Sequence, residues 1–208
     1  MASRRPDLNL AITALFEDVA TRMPEFGHVR PERVIVVAGE ARRASRGAVK
    51  PLTFAGARGR DALGNRKPIV RVHGKRMLYC ITLRPLFFRG STAHARVGTL
   101  IHELFHVSVL FDGTLDASHR HATMGPAFDT RMRPLLRRYL RHCPPELLGP
   151  FGYTGEVRIQ QWLERPPASY SPARGRVRRV YSEAQLFQAN VRMVTPALPL
   201  RAMPKPVH

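Results

Sequence analysis

The sequence predicts an α+β fold: a small mixed sheet packed against one central helix and flanking helices, followed by a basic C-terminal extension. Three observations predict it. Short runs of β-branched residues at 33–40, 69–74 and 76–85 are separated by segments of helical period. A capped, apolar run of helix length surrounds "HELFH" at 102–106. The composition turns Pro- and Arg-rich after residue 163, which divides the chain into a domain over 1–163 and an extension over 164–208.

The elements follow in order. Residues 8–22 place Leu8, Leu10, Ile12, Leu15, Phe16 and Val19 at helical spacing. "RVIVVAGE" (33–40) reads as a buried strand, and 41–68, rich in Gly, Arg and Ala, as a long loop with a short strand near Leu52–Phe54. "IVRVHG" and "RMLYCITLRP" read as two strands joined at His73-Gly74-Lys75. Ser91 is the expected N-cap of a helix running from Thr92 to about Phe111, stopped by Asp112-Gly113. Gly125-Pro126 suits the start of another helix, which Pro134 should kink or end. Residues 144–165 read as loop with one strand, "EVRIQQWLE".

The totals narrow the class. The chain has 208 residues, enough for one core with extensions. Its formal net charge is +19, nearly all from Arg, with Lys only at 50, 67, 75 and 205. Such an excess points to a polyanionic partner, nucleic acid first, although a general Arg bias would produce part of it. Cys80 and Cys143 make neither a disulfide scaffold nor a four-cysteine zinc ribbon, so a reducing, cytoplasmic setting is expected. The N-terminal helix is interrupted by Asp7, Asn9, Glu17 and Asp18, unlike a signal peptide. No uninterrupted apolar run of about 18 residues is present, so no membrane span is expected.

The chemistry lies in HELFH. On a helix, His102 and His106 sit one turn apart on one face, close enough for both imidazoles to hold one metal ion. Glu103 is one position on, within reach of water at the metal rather than of the metal itself. Two histidine ligands and a carboxylate base are the working parts of zinc-assisted hydrolysis. The apolar neighbours Val97, Leu100, Ile101, Leu104, Val107 and Leu110 bury this helix, and a buried carboxylate between two histidines calls for a cation. Two core histidines bonded to carbonyls, with Glu103 exposed, form the competing structural interpretation.

Catalytic zinc needs a third protein ligand and an open fourth position. Positions 109 and 112 are Val and Asp, which excludes a third His at the spacing of the longer zincin motif. His119 and His121 lie in "DASHRHATMG", a turn that two helices can return to the metal. His121 is preferred over His119, with Asp116 a further alternative. The predicted site is therefore His102, His106 and His121 on zinc, with Glu103 as general base.

Residues 76–140 resemble the catalytic core of SprT/Spartan-like minimal zincins and of small bacterial or phage metallopeptidases with the pattern HELxHxxxxFDG. HELFH, Phe111-Asp112-Gly113 and the Gly-Pro-x-Phe at 125–128 carry the likeness. In SprT-like proteins a His directly before that Gly-Pro supplies the third ligand; here the position is Met124, which returns the role to His121. The resemblance implies a mixed sheet on the metal-bearing helix and proteolysis of DNA-associated proteins.

Two surfaces complete the expectations. The strand around Leu78–Leu83 is a candidate edge for pairing with an extended peptide substrate. Arg131, Arg133, Arg137, Arg138 and Arg141, together with "RGRVRRVY" (174–181), offer phosphate contacts. The sequence thus predicts a zinc metallopeptidase acting on a protein or peptide, with nucleic-acid contact through Arg. The alternative is a basic nucleic-acid-binding protein with a structural or degenerate zinc site.

Overall fold

The structure, a computed structural model, describes residues 5–40, 45–56, 58–119, 127–171 and 178–193. Helix α1 (Leu8–Arg22) begins at Asp7, whose carboxylate accepts from the amides of Asn9 and Leu10. Of the apolar positions expected on it, Leu8, Ile12, Leu15, Phe16 and Val19 are buried, whereas Leu10 is exposed. Strands β1 (Val34–Ala38), β2 (Gly47–Pro51), β3 (Ile69–Val72), β4 (Lys75–Arg76) and β5 (Tyr79–Leu83) follow. Then come α2 (Pro85–Arg89), α3 (Ala93–Phe105), α4 (Ala127–His142) and α5 (Pro145–Gly152). The last described strands are β6 (Glu156–Trp162), β7 (Val180–Tyr181) and β8 (Leu186–Arg192).

The main sheet has the order β2-β5-β1-β6-β8. Its centre is parallel, β1 pairing with β5 and β6, and its two outer pairs, β2–β5 and β6–β8, are antiparallel. The predicted mixed sheet and α+β class are thus present. Strand alternation explains why both faces are buried. Val36, Ala38, Tyr79, Ile81 and Leu83 join the helices in the larger core. Ile35, Val37 and Cys80 face the opposite way, onto Val70, Met77 and Tyr181 of a smaller layer built on the sheet β4-β3-β7. Among the described residues no helix is long and apolar enough to cross a membrane.

Several boundaries differ from the sequence expectations. The strand in the 41–68 segment is β2 at 47–51, earlier than Leu52–Phe54. The two strands around His73 do form a hairpin, with positive φ at His73 (49°) and Gly74 (73°), but the second one is only β4. After Met77 the chain crosses to the main sheet as β5. Strand β5 is interior, between β2 and β1, so it is not an edge; the edge on that side is β2. Thr92, not Ser91, caps α3, its hydroxyl accepting from the Ala95 amide. Pro134 lies inside α4 without ending it, and "PELLGPFG" forms α5 where loop was expected.

The sheet also runs past residue 163. Strand β8 pairs with β6 in continuous register from Trp162↔Leu186 to Glu156↔Arg192, and β7 pairs with β3. Strand β6 would otherwise present unpaired backbone groups along its outer side. The predicted extension thus contributes an edge strand to the sheet. Residues 194–208 lie outside the described residues.

Candidate metal centre

Helix α3 is amphipathic in an unusual sense: one face enters the core and the opposite one floors a cleft. Val97, Leu100, Ile101 and Leu104 are fully buried. Arg96 is buried too, its Nε donating 2.7 Å to Phe88 O and its Nη1 donating to Phe151 O. Two carbonyls near element ends thereby accept from the guanidinium. Gly98 lets α4 approach, since a Cβ there would stand 3.0 Å from Leu136 Cδ2.

The helix stops at Phe105, six residues before the predicted end. His106 is its C-cap, and the chain turns back at once. Val107 bridges Leu115, Ser108 N donates to Thr114 O, and Asp116 N donates 3.0 Å to His106 O. The tip of this loop is Phe111-Asp112-Gly113, with φ of 47° at Phe111 and 87° at Gly113. Tyr79 of β5 pins it: the phenol donates 2.9 Å to Thr114 O and accepts 3.0 Å from Gly113 N. Burial pushes the Tyr79 hydroxyl up to about 12.

The loop returns residues 116–119 to the end of α3. His119 stacks on Phe105, with ring centroids 4.1 Å apart and 12° between planes. Its Nδ1 donates 2.9 Å to Phe105 O, one of the carbonyls that a helix end leaves without an intrahelical partner. Its own carbonyl accepts 2.7 Å from His106 Nδ1. A carbonyl can only accept, so the proton of His106 is on Nδ1 and the lone pair is on Nε2.

That lone pair points at His102. The two Nε2 atoms are 3.4 Å apart. Two nitrogens bound tetrahedrally at the usual zinc distance of about 2.0–2.1 Å stand about 3.3–3.4 Å apart. The pair therefore fits one zinc ion, and the His106–carbonyl bond is the outer contact that orients a ligating imidazole. Phe128 closes one side, 5.0 Å from the His106 ring and 4.7 Å from the His102 ring.

Glu103 is 6% exposed. Its Oε2 accepts 2.8 Å from the amide of Val49 on β2. Gly47 makes this approach possible, since a Cβ there would lie 3.3 Å from Glu103 Oε1. Burial raises the carboxyl from 4.5 to about 7, and the Val49 bond only partly offsets it.

These groups line a cleft of about 740 Å³. Its floor is α3, with β2 residues 47–49 on one side and Met132, Arg133 and Leu136 of α4 on the other. Because Ala48 and Lys50 pair with β5, the outward amides of β2 are those of Gly47 and Val49, and Pro51 has none.

The sequence-predicted site residues are thus partly assembled. His102, His106 and Glu103 are brought together. His119 adjoins the pair, and its Nδ1, donating to Phe105 O, leaves its lone pair on Nε2. Asp116 accepts from Ser118 N and Oγ. Among the described residues, no group of three His, Cys, Asp or Glu is placed to hold a metal. His121, the preferred third ligand, lies in 120–126, outside the described residues. Sequence reading missed Val49, Gly47 and Phe128; only Phe128 left a signal, in the Gly-Pro-x-Phe pattern. Comparison with known protein families, curated proteins and solved structures finds no match.

Proposed function

We propose that this chain is a zinc-dependent metallopeptidase of the minimal zincin kind, which the SprT/Spartan-like motifs in its sequence resemble. His102, His106 and His121 would hold the ion. The observation that carries the reading is the pair of imidazole Nε2 atoms 3.4 Å apart, one with its tautomer set by His119 O, beside a buried carboxylate.

Bound there, zinc supplies a Lewis acid that acidifies water and polarises a carbonyl. The chain's residues supply the rest. Glu103, held through Oε2 by Val49, keeps Oε1 for a proton taken from the attacking water and passed to the leaving nitrogen. A carboxyl whose pKa lies near neutrality is suited to both transfers. Edge strand β2 is where an extended substrate would add, through the backbone groups of residues 45–47. The free thiols of Cys80 and Cys143 suit a reducing cytoplasm.

The test is Glu103→Gln in the zinc-loaded protein, assayed on an unstructured protein substrate. Turnover should vanish while zinc stays bound. Equal turnover in the variant would refute the reading. Zinc bound without turnover in either protein would favour a structural zinc in a nucleic-acid-binding module.

A further inference from the structure

The cleft continues past the histidine pair along a row of arginines. His94 lines both the metal cleft and a neighbouring groove of about 540 Å³ formed with Pro134, Arg137, Leu140 and Arg141. Arg133 lines the cleft itself. Arg133, Arg137 and Arg141 are spaced four residues apart on α4, so they form one row with members about 6 Å apart along the axis. Arg137 and Arg141 are exposed and have no acidic partner among the described residues, whereas the adjacent Arg138 is paired with Glu25. Arg46, lying over the Phe87 ring, adds a cation next to β2. Among the described residues lining either hollow, the one carboxylate is Glu103, buried in the floor.

We infer that the substrate of the peptidase proposed above, on which this inference rests, is an acidic segment. An extended peptide would seat Asp or Glu side chains at alternate positions along Arg133, Arg137 and Arg141, on one side of the scissile bond. Same-face side chains of an extended chain recur about every 6.6 Å, close to the 6 Å or so between successive arginines. Pro134 and Leu140, between the arginines, accept the apolar parts of such a chain. No Phe, Tyr or Trp is among the described residues lining either hollow, whose rings are those of His94, His102 and His106. Of the basic stretch 174–181, the described Arg178 donates to Lys67 O and Arg179 is paired with Glu164.

The experiment compares two fluorogenic peptides that differ only in Glu or Gln at three alternate positions, with the zinc-loaded full chain. The Glu peptide should be cleaved about tenfold better in kcat/KM, through KM, and the advantage should shrink with added salt. The double variant R137E/R141E should bring the ratio near one, while R137K/R141K keeps most of it; thermal unfolding reports whether each is folded. Equal cleavage of both peptides by the wild type, or an unchanged ratio after charge reversal, overturns the inference. A second readout is anisotropy of the labelled Glu and Gln peptides on the Glu103→Gln protein. Acid-selective, Arg-dependent binding without any wild-type turnover refutes the peptidase and leaves the acidic segment standing; turnover without selectivity does the reverse. A single-stranded oligonucleotide that outcompetes the Glu peptide on the same arginines overturns the inference in favour of nucleic acid.

Discussion

The amide of Val49 donates to Glu103 Oε2 across 2.8 Å, which ties the edge strand to the helix that carries both histidines. The same carboxylate is buried, and ionising it in that place is unfavourable. Val49 therefore does two things: it orients the base and makes its charge tolerable.

A pH dependence follows for the metal-free chain. The folded-state pKa of Glu103, about 7, lies above its ordinary 4.5. Its contribution to stability is therefore fully present below about pH 4.5 and is lost as pH rises through 7, a span of order 3 kcal/mol. Urea unfolding of chelator-treated protein should show wild-type stability falling from about pH 4.5 to 8 relative to Glu103→Gln. Parallel curves for the two proteins would show that Glu103 is not buried as described.

Gly113→Ala should destabilise the fold and loosen the metal site together. The residue has φ of 87°, and an added Cβ would stand 2.3 Å from Thr53 Cγ2. The left-handed backbone alone costs about 1 kcal/mol for alanine, and the overlap adds about 1–3 kcal/mol. Since this loop returns His119 to His106, zinc affinity should fall with stability. Chemical denaturation and a chelator-competition titration measure the two effects.

His119 and His121 should separate by their metal content. Removing the His119 side chain takes away its bond to Phe105 O and its stacking on the ring, but leaves the carbonyl that orients His106. His119→Ala should keep zinc with affinity weakened about tenfold. His121→Ala should lose it. Full retention in His121→Ala would remove that residue from the ligand set.

Ending the chain at residue 163 should prevent cooperative folding. The cut deletes β8, which pairs with β6 along its whole length, and Tyr181, which is buried in the smaller core. It leaves a newly exposed edge beside Val157 and Ile159. Circular dichroism during urea unfolding measures this; a sharp native-like transition in the truncated chain would contradict it.

The histidine pair was legible in the sequence because it depends only on helix geometry over one turn. What surrounds it was not, because each missing piece is set at long range. Apolar residues continue through Leu110, so nothing local ends α3 at Phe105; the return of Leu115 onto Val107 does. Strand β2, "GAVKP", sits in an Arg- and Gly-rich stretch without alternation, and its partner Glu103 is 54 residues away. Strand β8, "LFQANVR", did leave a short alternation, since Ala189, Val191 and the buried Met193 share one face and Asn190 and Arg192 the other, but its Pro- and Arg-rich setting made it read as extension. Pro150 and Gly149 made α5 look like loop, although Phe151 is buried against the core.

The most direct test of the account is zinc per chain in purified wild type and His106→Ala, by elemental analysis. The account predicts about one equivalent in the wild type and almost none in the variant. Equal zinc in both, or none in a wild type refolded with excess zinc, would contradict it.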